Sequence, residues 1–289
     1  MTSAEVSKNP ATIHVVGSTN VDFVVRTAAL PRAGETIGGG TFTTVPGGKG
    51  ANQALAAGRL GADVKFHSSI GDDAYAQIAL ANLIEAGVDI TGVVKKPNVA
   101  TGAAFINVDD NGENQIAVAS GANAEFAPSD VTINGGDGVI AQLEVPPETI
   151  LSAVQGNDIF FCLNTAPAID IPAALIHRAN LLVMNETESN FYEPHLADFR
   201  GIVVRTYGAK GAALFRNGAE VARATPPEVS VIDTTGAGDT FTAALTLALV
   251  KGESDENALR FACVAGALAT TKLGAQSAIP TSTEMKPYL

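Results

Sequence analysis

The chain has 289 residues, 46% hydrophobic and 17% charged, which is the balance of a globular protein and not of a disordered one. A net charge of −12 argues against nucleic acid as a partner, because phosphate backbones need Lys and Arg. The same acidity means that a bound polyphosphate would be held by backbone donors, a few placed cations and metal. The length suits one large domain, or one domain with a small appendage. The two cysteines, Cys162 and Cys263, each lie inside an apolar run and read as small buried side chains suited to a reducing cytosol. Met1 to Ala11 is polar, with no apolar signal segment after it, and no run reaches the roughly 18 apolar residues of a membrane span. The expectation is a soluble, cytoplasmic protein with no membrane partner.

Thr12 to Val16 is a short β-rich run ending at Gly17-Ser18, and Val21 to Val25 is a second. After a loop with Pro31 and Gly34, Glu35 to Val45 mixes glycine with β-branched residues, which predicts a twisted, exposed strand. Pro46 to Gly50 is a tight turn, and the Ala-rich stretch Ala51 to Leu60 is a helix stopped by Gly61. Val64 to Ile70 reads as a strand, Ala74 to Ala86 as a helix and Val88 to Val94 as a strand. Thr101 to Val108 and Asn114 to Ser120 flank Asn111-Gly112, a hairpin signal. Strand–helix alternation then resumes: strands at Val139 to Leu143, Ile159 to Leu163, Leu181 to Met184 and Ile202 to Thr206, with helices at Thr149 to Val154 and Pro172 to His177. A hairpin around Asn217-Gly218 precedes two apolar helices, Thr240 to Val250 and Asn257 to Leu273.

That alternation predicts an α/β fold, a doubly wound and mostly parallel sheet with helices on both faces. Val21 to Val45 and Thr101 to Ser120 break it, since both are β without helices. They can pair as a small sheet standing off the main domain, and such a sheet has to cover a substrate or meet a copy of itself. The whole chain thus reads as a single domain, 1–289, with a lid formed by about 20–45 and 100–121. There is no G-x-x-x-x-G-K-[ST], no G-x-G-x-x-G after the first strand, no metal spacing among four histidines and two cysteines, and no G-x-S-x-G.

Five stretches carry the chemistry. Val231 to Ala244 reads as a strand end, a loop with Gly236 and Gly238, and a helix start, which together make an anion site. Asp239 stands at its mouth, where a carboxylate is either an ordinary N-cap or a base for an attacking hydroxyl. Asn20 and Asp22 follow the first strand, where ligands bind in open α/β sheets. They suit either vicinal hydroxyls or simple turn chemistry. Gly48, Lys49 and Asn52 open a helix and either dock a polar ligand or form a plain loop. Glu144 lies at a strand end, on the ligand side or on the surface. Asn185 and Glu188, three apart, either hold hydrated magnesium or cap a helix. A weaker turn spans Thr206, Gly208 and Gly211.

Taken together, Gly17-Ser18-x-Asn20-x-Asp22, Leu30-Pro31-x-x-Gly34-Glu35-Thr36, Gly47 to Ala54, Asn185 to Glu188 and Asp233 to Phe241 resemble the ribokinase (PfkB-type) family of carbohydrate kinases. The resemblance spans nearly the whole chain and implies a ribokinase-like fold whose β lid closes on sugar and often forms the dimer contact. It implies an ATP-dependent kinase for the primary 5-hydroxyl of D-ribose, with Asp239 as base and the N–H groups of Gly236, Ala237 and Gly238 as anion hole. By the same resemblance Asn20, Asp22, Gly48, Lys49, Asn52 and Glu144 hold the sugar. Asn185 and Glu188 place Mg²⁺, and Thr206, Gly208, Gly211 and Gly238 flank the nucleotide. An activating K⁺ takes Asp233 and Thr235 with the carbonyls of Ala269, Lys272 and Gly274. Alternatives are a kinase for another pentose, a ketohexose or a nucleoside, and a sugar-binding regulator without catalysis. Three departures stand out: Cys263 replaces an Asn or His near adenine, Ala278 replaces a Ser at the cation site, and the chain is short between Glu188 and Ile202.

Overall fold

Runs such as Val139 to Ala141 and Leu181 to Met184 are apolar at successive positions, which requires cover on both faces of a sheet. The computed structural model supplies that cover. It describes residues 10–156 and 158–289, so the reading of the segment before Pro10 lies outside the described residues. The elements, in order, are β1 (Thr12–Val16), β2 (Asn20–Arg26), β3 (Thr41–Gly47), α1 (Lys49–Arg59), β4 (Asp63–Gly71), α2 (Tyr75–Glu85), β5 (Asp89–Lys96), β6 (Gly102–Val108) and β7 (Asn114–Ala119). Then come β8 (Gly138–Gln142), α3 (Pro147–Val154), β9 (Phe160–Asn164), α4 (Ala173–Arg178), β10 (Leu181–Asn185), α5 (Glu186–Leu196) and β11 (Ile202–Thr206). The chain finishes through β12 (Ala212–Arg216), β13 (Ala219–Ala224), α6 (Ala237–Val250) and α7 (Asp255–Leu268), followed by short helical turns.

Among the described residues the main sheet has the order β13-β12-β11-β10-β9-β8-β1-β4-β5, parallel except at β12 and β13. Neighbouring strand residues alternate between two cores. Ile13, Ile140, Cys162 and Val183 pack with α1, α6 and α7, while Val16, Val139, Phe161 and Leu182 pack with α3, α4 and α5. A second sheet, β3-β2-β6-β7, stands apart and joins the two stretches that lack helices. Its register puts Asn20, Asp22 and Val24 on one face with Val45, Ala104, Ile106, Ile116 and Val118. Phe23, Phe42 and Phe105 stack on the other, where Tyr75 of α2 meets Phe23 edge-on. Among the described residues no helix is long and apolar enough to cross a membrane.

Four boundaries differ from the sequence reading. The strand expected from Glu35 begins only at Thr41, because Gly38, Gly39 and Gly40 break the extended run and Gly39 takes φ +81°. β3 then runs on through Pro46 and Gly47, so the expected turn is a strand end followed at once by a helix; an edge strand tolerates that proline. Val231 and Ile232 form no strand; they are exposed, and Ile232 and Asp233 donate their N–H groups to the Thr270 carbonyl. The last long helix stops at Leu268 and not Leu273, where the hydroxyls of Thr270 and Thr271 bond back to Ala267 and Leu268. The short stretch after Glu188 keeps one full helix, α5.

Candidate active site

Two directions of winding meet between β1 and β8: from β1 the order proceeds through β4 to β5, and from β8 it proceeds through β9 to β11. In open α/β sheets the crevice beyond such a switch point takes the ligand. Ser18 straddles it, its Oγ donating to Glu144 Oε2 at 2.5 Å, and the Lys49 N–H adds a second bond to that oxygen at 3.0 Å. Gly50 crosses the end of β1 so closely that a Cβ would lie 2.5 Å from Gly17 C and Ser18 N, which is why this helix start has no side chain there.

Asn20, Asp22, Asn52 and Glu144 are brought to this crevice, with Gly48 as the N-cap of α1 and Lys49 as its first residue. Asn20 Oδ1 accepts from Asn123 Nδ2 at 2.7 Å, and Asn123 also bonds the backbone of Thr19 in both directions. Asp22 is buried beside Gly47. Burial, and then the charges of Glu144 and Asp239, push its carboxyl up to about 7. Lys49 moves upward as well, chiefly through Asp239, against burial and with help from Glu144 and Glu188.

Asp239 lies in the first turn of α6, 6% exposed, but it is not the N-cap: Gly236 takes that position and no side chain caps the helix, so the cap reading of Asp239 falls. Asn52 donates to its Oδ2 at 2.9 Å and Gln53 to its Oδ1 at 3.0 Å. Gly236 precedes the helix in the left-handed region, φ +78°, with a would-be Cβ 2.6 Å from the Ala275 carbonyl oxygen, so only glycine fits. The Ala237 N–H turns back onto the Thr234 carbonyl at 3.2 Å, while Gly238 borders open space.

That space is a cleft of about 690 Å³ beside the start of α6. Thr206, Gly208, Gly211 and Gly238 line it, together with Cys263, whose thiol is pushed up to about 11 by burial. Pro226, Val229 and Phe241 give it apolar walls. Asn185 and Glu188 lie outside this lining and hold each other in a capping box: both Glu188 oxygens accept from Asn185, at 2.9 Å each, and Glu188 N–H returns to Asn185 Oδ1. Burial raises the Glu188 carboxyl above its usual range, with Lys49 pulling the other way. Asp233 accepts from Thr235 N–H and hydroxyl and, at 2.8 Å, from Gly274 N–H, which laces the loop before α6 to the turn after α7. Burial works to raise the Asp233 carboxyl, but those bonds win and hold it below its usual range. Ala269 is buried at the start of that turn and Lys272 is exposed within it.

The polar crevice and the cleft meet at the start of α6, where Asp239 is held by Asn52 and Gln53 and Gly238 borders the cleft, an arrangement suited to transferring a group between two ligands. The pfkB family carbohydrate kinase model matches residues 10–141 and 162–282. The ribokinase of Bacillus subtilis is 38% identical over 96% of this chain and 99% of its own length. The deoxyribokinase of Salmonella typhi is 32% identical over 96% and 98%. The structure of Arabidopsis thaliana ribokinase complexed with ribose and ATP superposes with a TM-score of 0.85 at 30% identity, covering 96% of this chain and 98% of that one. This chain belongs to the pfkB family of carbohydrate kinases.

Sequence reasoning missed Ser18, Gln53 and Asn123 as parts of the site. The first two sit inside stretches already singled out. Asn123 follows the β6–β7 hairpin and is bonded to residues 103 and 104 positions away, so nothing local marks it.

Proposed function

We propose that this protein is an ATP-dependent ribokinase, transferring the γ-phosphoryl group of ATP to the primary 5-hydroxyl of D-ribose. The observation that carries this reading is Asp239, buried at the N-terminus of α6 between the polar crevice and the cleft and clamped through both oxygens. In it Asp239 takes the hydroxyl proton, and the backbone N–H groups of Gly236, Gly238 and Ala237, the last released from the Thr234 carbonyl, receive the phosphoryl charge, as phosphoryl transfer requires. Asn20, Asp22, Asn52 and Glu144 grip the sugar hydroxyls, Gly48 lets the backbone approach, and Lys49 neutralises the crowd of carboxylates. Thr206, Gly208 and Gly211 flank the nucleotide.

For Mg²⁺ the donor set fits through water: both Glu188 oxygens accept from Asn185 in the capping box and keep further lone pairs for the ion's water, which suits an ion that keeps most of its shell and arrives with the phosphates. Bound there, Mg²⁺ neutralises charge on the transferring phosphates. For K⁺, Asp233, Thr235 and the carbonyls of Ala269, Lys272 and Gly274 are the proposed ligands, and the lacing of Asp233 to Gly274 supports them. Such a cation would set the loop before α6 without touching substrate. The β3-β2-β6-β7 sheet is the proposed lid and homodimer contact, since its site-bearing face leaves Ile116 and Val118 more than half exposed. A cytoplasmic location is part of this reading, supported by two buried, unbridged cysteines.

The likeness to deoxyribokinase favours 2-deoxyribose as the second reading. ADP release with ribose, 2-deoxyribose, fructose and adenosine, each with and without K⁺, separates them. Ribose is expected to turn over fastest, and equal turnover of fructose or adenosine would sink the assignment. Asp239→Asn is expected to lower kcat by about 10³-fold or more. Sugar binding without any turnover would leave the regulator reading standing instead.

A further inference from the structure

We propose that Gln53 is a positioning residue for Asp239, aiming its carboxylate through a directed chain of buried amides. The inference rests on Asp239 being the base. Gln53 is fully buried on α1, so it reaches Asp239 and not the solvent side of the site. Both of its N–H bonds are used: one on Asp239 Oδ1 at 3.0 Å, the other on Asn164 Oδ1 at 3.0 Å. Its Oε1 accepts from Gln142 Nε2 at 2.7 Å. A second chain converges on the other carboxylate oxygen. Asn82 donates to Gln276 Oε1 at 2.9 Å, Gln276 to Asn52 Oδ1 at 3.1 Å, and Asn52 to Asp239 Oδ2 at 2.9 Å.

Chemistry fixes the direction of both chains. An ionised carboxylate only accepts, so the amide beside it has to turn its NH₂ inward, and its carbonyl then faces the next NH₂. Amide dipoles aligned in this way reinforce one another in a dry interior. Packing alone does not explain the choice of glutamine. Ala51, Ala54, Leu55, Ala56 and Ala57 around it on α1 are all apolar and buried, and a buried amide is unfavourable unless bonded. A methionine would fill the same space, yet it could not donate. Gln53 therefore fixes the plane of the carboxylate while each oxygen keeps a lone pair for the hydroxyl proton. A carboxylate that loses a donor holds a proton more readily.

Gln53→Met tests this by keeping the shape and removing the donors. The expected result is a kcat about 10- to 100-fold lower. The KM for ATP should stay within about 2-fold, and the acid limb of the kcat–pH profile should move to higher pH. Gln142→Met, which withdraws the donor behind Gln53 without touching Asp239, is expected to act in the same direction with a smaller shift. Should Gln53→Met fail to fold, the Gln142→Met limb decides by the same criterion. A lower melting temperature with the acid limb unmoved means that Gln53 only glues α1 to α6, and overturns the proposal. Asp239→Asn separates the two layers: parental turnover there overturns the base itself. A dead Asp239→Asn beside unmoved limbs in both glutamine variants overturns the positioning role alone. Combining Gln53→Met with Asp239→Asn is expected to add no further loss; an added loss of about 10-fold shows Gln53 acting elsewhere and counts against it.

Discussion

Asp22, proposed above to grip the sugar, shows what a buried carboxylate costs the fold. Its carboxyl is pushed up to about 7 from an ordinary 3.8 by burial and by Glu144 and Asp239. A folded-state value above the unfolded one means that the folded protein binds the extra proton, so stability is greatest at low pH and declines as pH rises from about 4 to about 7. Asp22→Asn removes that charge. It is expected to raise stability at pH 8 by ~2–4 kcal/mol while abolishing ribose turnover, and the gain should shrink towards pH 5. Thermal melts at the two pH values check it, and an equal gain at both would show that charge is not the cause. Asp22 was legible as a candidate because its spacing from β1 is local. Gln53 was legible only as one letter of a motif, since its partners Asn164 and Asp239 lie 111 and 186 positions away.

The loop before α6 carries two glycines that look alike in the sequence and differ in structure. Gly236 has a positive φ and a backbone oxygen 2.6 Å from any Cβ, whereas Gly238 has an ordinary helical backbone and nothing within 4 Å. Gly236→Ala is therefore expected to cost about 1–3 kcal/mol of stability along with most of the activity. Gly238→Ala should leave stability within ~0.5 kcal/mol and weaken ATP use, because its methyl enters the cleft. Melting temperature and the KM for ATP, measured on both, distinguish the two; a large loss of stability in Gly238→Ala would contradict this assignment. At this level the sequence announced the loop and the helix but misplaced the strand before them. Val231 and Ile232 have strand propensity, yet Pro226 and Pro227 take the chain past the sheet edge and along the cleft.

On the scale of the molecule, the parallel sheet was readable because doubly buried strands are apolar at consecutive positions, and the small second sheet because two β stretches lacked helices. What stayed hidden was how the small sheet is fastened, since that depends on Asn123 reaching back to Thr19 and Asn20. Its apolar face carries Ile116 and Val118 at 56% and 59% exposed, a pattern that a second copy would cover. Ile116→Lys is expected to give monomers in sedimentation velocity and to lower ribose affinity; an unchanged dimer would rule out this face.

Asn20 and Asp22 are themselves the first and third residues of β2, a central strand of the small sheet, and are not loop residues beneath it. On the proposed reading, a pentose held by them is fastened to the flap and not merely sheltered by it. Occupancy and shutting then form one degree of freedom, and water is expelled by the arrival of the sugar before any phosphate is committed.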